Sequence, residues 1–241
     1  MKIVIADSYQ QYADYLSDFP RLFEQGAGTV LYRQRNEVRR MEHQGQVFIV
    51  KKYKRVNALQ QVVYTFFRKT KAERAFLFAQ EFRKRGIETP REIAYIETSR
   101  WGLFTVGYLV CEPCDWRDCA TDLREVEAFD RVLGRAVMQQ VVLMHKRGVL
   151  HGDLNLTNFL YQPQDDGSYR FMMIDINRSH FTEGIPSREQ CMQNLVRITH
   201  RRDLYEFLLG QYAELRKWGV SATIEEGLRL LDHFEHRRFR L

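Results

Sequence analysis

No stretch of this 241-residue chain is apolar for the roughly 18 residues that a membrane span requires. The longest run without charge, residues 56–67 (VNALQQVVYTFF), falls well short of it. The opening MKIVIADSYQ offers an unbroken run of only four apolar residues, 3–6, before Asp7, too few for the core of a secretory signal, so a cytoplasmic location is expected. Cys111, Cys114, Cys119 and Cys191 lack a second C-x-x-C or H-x-x-H knuckle and read as reduced thiols, not as a zinc site. There is no internal repeat and no low-complexity segment. The basic residues are scattered over strands and helices without a recognition module, so no nucleic-acid partner is expected.

What remains is a packed globular chain. A hydrophobic fraction of 44% and an aromatic fraction of 13% supply a core, and the length allows two lobes. The 37 basic residues outnumber the 31 acidic ones by six, a moderate surplus that suits an anionic ligand.

Residues 29–35, 37–43 and 46–54 are rich in β-branched and aromatic side chains. Asn36 and Gln44-Gly45 separate them, which predicts an antiparallel meander. Ala72, Ala75, Phe76, Ala79 and Phe82 recur at helical spacing over 69–86. Residues 92–97 and 102–110 read as two more strands. Val126, Phe129, Leu133, Val137, Val141 and Met144 predict one long helix over 123–148, with Asp122 and Glu125 as its capping signal. Strands at 159–163 and 169–175 follow, joined by a hairpin at Asp166-Gly167. From Ser187 the pattern is helical, and Thr223 with Glu226 marks the last start. The predicted fold is α+β and bilobal. It has a sheet-rich N-terminal lobe over 1–110, a hinge at 111–116 and a mainly helical C-terminal lobe over 117–241.

Three polar residues point to chemistry. Asp153 follows the long helix in HGDLNLTNFL (151–160), and Asn158 lies five residues on. The hairpin then returns Asp175, in YRFMMIDINR, towards Asn158. An amide oxygen and a carboxylate suit Mg²⁺, which leaves Asp153 to orient an attacking hydroxyl and accept its proton. Phosphoryl transfer also needs a cation on the phosphates, and VFIVKK offers Lys51 and Lys52. Strand alternation puts those two on opposite faces and does not choose between them. Such a set resembles that of the protein kinases, which implies a helix glutamate paired with the lysine, here Glu73 or Glu81. GAG at 26–28 precedes the first strand, whereas the resemblance implies a phosphate loop between the first two strands, where Arg35-Asn36 stands. That turn either offers a guanidinium and backbone donors in place of a glycine cradle or is an ordinary hairpin turn.

Strand lysine, helix glutamate, H-x-D-x-x-x-x-N and I-D, in this order, resemble the protein-kinase signature set over nearly the whole chain. The resemblance implies ATP and Mg²⁺. Its V-x-I-x-K pattern favours Lys51, with Glu73 as partner, Asn158 and Asp175 on the metal and Asp153 as base. The backbone near Glu112 would face adenine, and His151 would support the catalytic loop. Gly152 stands where many protein kinases carry an arginine that reads a phosphorylated activation loop. Only SHFTEGIPSREQ (179–190) follows IDINR before helical sequence resumes, with no A-P-E element. Both features argue against a regulated protein substrate.

HGDLNLTNFL, IDINR, KAERAF…GIETP and the Arg-Asn hairpin are similar to the bacterial lipopolysaccharide core kinases over about residues 25–215. That resemblance implies an ATP-dependent phosphotransferase acting on a Kdo or heptose hydroxyl of the lipopolysaccharide core glycolipid. It also implies peripheral contact with the anionic inner face of the inner membrane. KKYKR (51–55), RITHRR (197–202) and HRRFRL (236–241) are the basic clusters available to such a partner. Arg178, just after Asp175, is the basic residue best placed for substrate or γ-phosphate. Kinases of this shape that act on aminoglycosides or choline need an acidic pocket, which the basic balance opposes. Another small molecule, or a protein, is the alternative acceptor.

Overall fold

The computed structural model describes residues 1–239, so the basic cluster at 236–241 extends outside the described residues. The chain divides into two compact units, each mixing strands and helices. One is Met1–Lys84 with Thr89–Asp115, the other Arg85–Glu88 with Trp116–Leu241.

In the first unit the chain begins with β1 (Lys2–Ile5), α1 (Ala13–Ser17) and α2 (Phe19–Glu24). The meander β2 (Thr29–Arg33), β3 (Glu37–His43) and β4 (Gln46–Lys52) follows, then α3 (Ala58–Phe66) and α4 (Lys71–Lys84). A hairpin of β5 (Glu92–Arg100) and β6 (Leu103–Cys111) completes it. All six strands form one antiparallel sheet in the order β1-β5-β6-β4-β3-β2. Gln44 and Gly45 both take positive φ, the requirement of a two-residue type I′ turn. Neither β1 nor α3 is visible in the sequence pattern. β1 is a four-residue strand at the sheet edge, and α3 forms within the uncharged run at 56–67.

Alternation along β4 sorts the sheet into two faces. Phe48 and Val50 pack with Leu16, Phe19 and Phe23 from α1 and α2, and with Ile93, Ile96, Tyr108 and Val110. Lys51 is paired with Leu109 on β6, and Leu109 with Tyr95 on β5. Tyr95 and Leu109 pack on Ala72 and Phe76 of α4. Residues opposite one another across strands share a face, so Lys51 lies on the α4 side. Lys52 lies on the other, where it meets the Glu24 carboxylate and sits 5.5 Å from the Phe23 ring centroid.

The second unit contains β7 (Arg117–Asp118), α5 (Cys119–Leu123), α6 (Arg131–Lys146) and β8 (Val149–Leu150). After these come the hairpin β9 (Phe159–Pro163) and β10 (Tyr169–Met173), then β11 (His180–Phe181). The helices α7 (Arg188–Leu195), α8 (Arg202–Arg216) and α9 (Val220–Phe239) close the chain. The strands make two small sheets, β10-β9-β7 and β11-β8. Residues 85–88 are built into this unit. Met173 donates its N–H to Glu88 O at 2.8 Å, and Arg170 meets the Glu88 carboxylate at 2.8 Å. The Arg147 guanidinium donates to the carbonyls of Arg85 and Gly86 at 2.7 and 2.6 Å.

The long helix predicted from 123 is broken in two. α6 starts at Arg131, where the Asp130 side chain accepts from the N–H groups of Val132 and Leu133 at 2.8 and 3.1 Å. Asp122 cannot cap it, because its carboxylate is held by Arg117 and by the Tyr161 hydroxyl, each at 2.7 Å. Val126 and Phe129 therefore lie outside the helix, and Phe129 packs on Phe207 with ring centroids 5.3 Å apart. Leu133, Val137, Val141 and Met144 are buried as the periodicity predicts. α9 begins at Val220, three residues before Thr223, whose hydroxyl instead donates to Gly219 O at 2.8 Å.

Among the described residues no helix is long and apolar enough to cross a membrane. The four cysteines are free thiols, and burial pushes the Cys119 thiol well up from its ordinary value. Among the described residues no group of three His, Cys, Asp or Glu is placed to hold a metal.

His145 joins three helices of the second unit. Its Nδ1 meets the Tyr212 hydroxyl at 2.7 Å and its Nε2 meets Asn194 Oδ1 at 3.1 Å, with the ring fully buried. Since an amide oxygen only accepts, Nε2 carries the proton and the ring is neutral. Burial lowers its pKa from 6.5 to about 4. Between those values the unfolded chain binds a proton that the folded chain refuses. Stability is therefore full above pH 6.5 and is lost on acidification through that window, by about 3 kcal/mol. Thermal melts should show this slope in the native protein and a flatter one in His145→Gln. Parallel slopes would exclude His145 as its source.

Candidate active site

The loop after β8 is fixed from below by one imidazole. His151 is fully buried, and its Nε2 lies 2.9 Å from the Ile174 carbonyl. A carbonyl only accepts, so Nε2 is the protonated nitrogen and Nδ1 accepts from the Asp153 N–H at 3.4 Å. Burial lowers the His151 pKa and favours this neutral form. Two more bonds close the loop. Asn158 Nδ2 donates to Asp153 O at 2.8 Å, and the Ile174 N–H donates to Asn158 O at 3.0 Å.

The β9–β10 hairpin explains the last of these. It is in register from Phe159↔Met173 to Pro163↔Tyr169, so the residues just outside its base, Asn158 and Ile174, come together. Asp175 follows in the left-handed region at φ 55°, ψ 39°, and its Oδ1 accepts from Asn177 Nδ2 at 2.7 Å. A left-handed aspartate is an uncommon backbone state that the surrounding bonds hold in place. Because Nδ2 of Asn158 is used within the loop, its amide oxygen is the end left to a cation. That oxygen and the Asp175 carboxylate are hard donors of the kind Mg²⁺ takes.

Two guanidinium groups flank the Asp153 carboxylate. Arg178 Nη1 lies 3.7 Å from Oδ2 and Arg197 Nη1 lies 3.7 Å from Oδ1, and all three side chains are part-exposed. Arg178 is near in sequence to Asp175, but Arg197 has no such link. It stands in the turn after α7, which reaches the loop because the Leu156 N–H donates to Ile198 O at 3.3 Å. The sequence offered only its membership in the RITHRR cluster.

Gly152 has a steric reason to be glycine. A Cβ there would lie 2.0 Å from the Arg178 carbonyl oxygen and 2.7 Å from its carbonyl carbon. No side chain of any kind fits, arginine included.

The remaining expected residues belong to the first unit. Lys51 is half-buried on the α4 side, with Nζ 5.5 Å from the Tyr53 ring centroid. Glu73 stands in the first turn of α4, its N–H received by Thr70 Oγ1 at 3.1 Å, and its carboxylate meets Lys69 at 3.2 Å and Lys2 at 3.7 Å. Arg35 is exposed in the β2–β3 turn. Asn36 beside it is committed to the fold, since its Oδ1 accepts from the Lys54 N–H at 3.1 Å. The Glu112 carboxylate accepts from the Tyr9 hydroxyl, and its N–H donates to Arg91 O at 2.9 Å.

A family model described as lipopolysaccharide kinase (Kdo/WaaP) family matches residues 32–216, more than three quarters of the chain. This protein belongs to that family. The Kdo/WaaP chain also matches the solved structure titled "WaaP in complex with acyl carrier protein" at 20% identity and TM-score 0.63. The match covers 100% of this chain and 99% of the other, and shows a shared kinase-like fold. No curated protein matches. Membership in the Kdo/WaaP family carries a kinase-type enzymatic activity towards lipopolysaccharide, and the HGDLNLTNFL loop lies inside the matched region.

Proposed function

We propose that this protein transfers the γ-phosphoryl group of ATP to a hydroxyl of a Kdo or heptose residue in the lipopolysaccharide inner core. The observation that carries the reading is Asp153, held on a loop bonded to both Asn158 and the Ile174–Asp175 segment and flanked by two arginines.

Asp153 orients the acceptor hydroxyl and takes its proton as the oxygen attacks phosphorus, while the bond to the bridging oxygen breaks and ADP leaves. Asn158 and Asp175 would hold Mg²⁺, which when bound neutralises charge on the phosphates. Lys51 holds the ATP phosphates as a point charge, with Glu73 the glutamate on the helix packed over the same sheet face. Arg35 lends a guanidinium to the phosphates, and the chain near Glu112 meets the adenine. Arg178 and Arg197 place two positive charges at the acceptor side of the base. There they suit the carboxylate or phosphate of an acidic core sugar better than a neutral or cationic acceptor. The chain would work at the cytoplasmic face of the inner membrane, where such an acceptor is held by its lipid.

Incubation with labelled ATP, Mg²⁺ and Kdo-lipid A or heptosylated acceptors tests this. Label should enter the glycolipid, and label entering only protein or another small molecule would overturn the reading. Arg197→Ala should raise KM for an acidic acceptor about tenfold and leave KM for ATP unchanged, since a lost charge-assisted hydrogen bond is worth about that factor. An equal rise for a neutral acceptor would remove Arg197 from acceptor recognition.

A further inference from the structure

α3 carries an apolar stripe that nothing in the first unit covers. Leu59, Val62 and Phe66 recur at i, i+3 and i+7, so they share one helical face, and they are 75%, 38% and 67% exposed. Phe67 follows at 81%. The opposite side of α3 meets the sheet, where the Phe104 N–H donates to Thr65 Oγ1 at 2.9 Å and the Tyr64 and Phe104 rings lie 5.7 Å apart. The exposed stripe is thus additional to the packing that holds the helix in place.

A second exposed aromatic stands beside it. Trp101 is 87% exposed at the tip of the β5–β6 hairpin, where Trp101 and Gly102 both take positive φ. Gly102, Phe66, Phe67 and Arg68 line one concavity of about 520 Å³, which places the hairpin tip next to the end of α3.

The sequence flanking α3 carries charge of one sign. No acidic residue occurs between Glu42 and Glu73. Lys54 and Arg55 precede α3, Arg68 follows it, and Arg100 stacks its guanidinium 4.4 Å from the Trp101 ring centroid. None of these four forms an ion pair among the described residues. Two carboxylates in the concavity, Glu73 and Glu97, are met by Lys2, and Glu73 also by Lys69.

A short amphipathic helix with phenylalanine and leucine outward, a tryptophan beside it and unpaired cations at its rim matches the requirements of an anionic lipid surface. We infer that α3 and the Trp101 hairpin tip form the surface by which this protein docks on a negatively charged bilayer. The stripe enters the headgroup–acyl boundary, and the four cations meet lipid phosphates. Cations stand at both ends of the apolar stripe, the layout that meets a layer of phosphate headgroups over acyl chains. The inference deepens the reading of a lipid-borne acceptor, but vesicle binding needs neither ATP nor acceptor, so the two can fail separately.

The test is co-sedimentation of the full chain with vesicles of phosphatidylcholine alone and with about 30% phosphatidylglycerol, alongside tryptophan fluorescence of the native chain and of Trp101→Phe. Binding should be at least about tenfold stronger to the anionic vesicles, fall with added salt and give a blue shift of emission that Trp101→Phe lacks. Phe66→Asp with Phe67→Asp should weaken it at least about tenfold, and Arg55→Gln or Arg68→Gln about fivefold each. All four side chains are exposed, so melting temperatures should stay near the native value, and turnover of a deacylated, soluble acceptor should be unchanged. Undiminished vesicle binding by the double aspartate variant would overturn the inference, as would absence of binding to either vesicle. A lipid-free dimer that the same variant dissociates would assign the face to a second copy and also overturn it.

Discussion

Asp153→Asn is expected to lower kcat by about 10²–10⁴-fold, the range for losing a general base, while ATP affinity changes less than about twofold. Asparagine keeps the shape of the side chain but accepts no proton, and the loop bonds formed by the Asp153 N–H and carbonyl are untouched. The loss corresponds to about 3–5 kcal/mol of transition-state stabilisation. Steady-state kinetics with the glycolipid acceptor, paired with calorimetric ATP titration, measures both quantities. Asp175→Asn should divide the effects the other way, because it removes charge from the proposed metal site and weakens Mg²⁺-dependent ATP binding. Native turnover in Asp153→Asn would show that another group takes the proton.

The second large effect concerns a residue with no functional group. Gly152→Ala should lower kcat at least about 100-fold, the scale at which a displacement of about 1 Å disturbs a reacting pair. The added Cβ would sit 2.0 Å from the Arg178 carbonyl oxygen. That atom is backbone and cannot rotate aside, so either the loop or the segment after Asp175 must shift. Asp153 is the next residue and Arg178 is one of its two cationic neighbours, so either shift moves the base relative to its charges. Strain of this kind also costs about 1–3 kcal/mol of stability. Melting and kinetics should be recorded together, and an alanine variant with native values for both would contradict the tight packing.

Much of this second unit is legible in the sequence because its signals are local. Asp153 and Asn158 are five residues apart, and the Asp166-Gly167 turn is enough to bring Ile174 back to Asn158. Gly152 is legible only as a missing arginine, since its steric cause is a carbonyl 26 residues away along the chain. Arg197 has no readable link to Asp153, because packing of the turn after α7 sets their approach. The same limit applies to α6. Val126 and Phe129 continue the apolar period, but the Asp122 carboxylate is held by Tyr161, and the helix starts at Arg131 with Asp130 as its cap. In the first unit, alternation shows that Lys51 and Lys52 face opposite ways, yet only the placement of α2 and α4 shows which lysine has which face. β1 was hidden by its length, and α3 by a run of residues that looked equally suited to no structure.

The segment 85–88 has a practical consequence for dissecting the molecule. The chain passes from the first unit into the second, returns, and crosses again at Asp115–Trp116. A fragment expressed from Trp116 would be missing residues 85–88 of its own unit. The Met173 amide would lose the Glu88 carbonyl, and the Arg147 guanidinium would lose its two acceptors. Exchanging this unit between relatives is accordingly a two-segment graft, and a chimera joined at a single point will carry mismatched seams at β10 and at the end of α6.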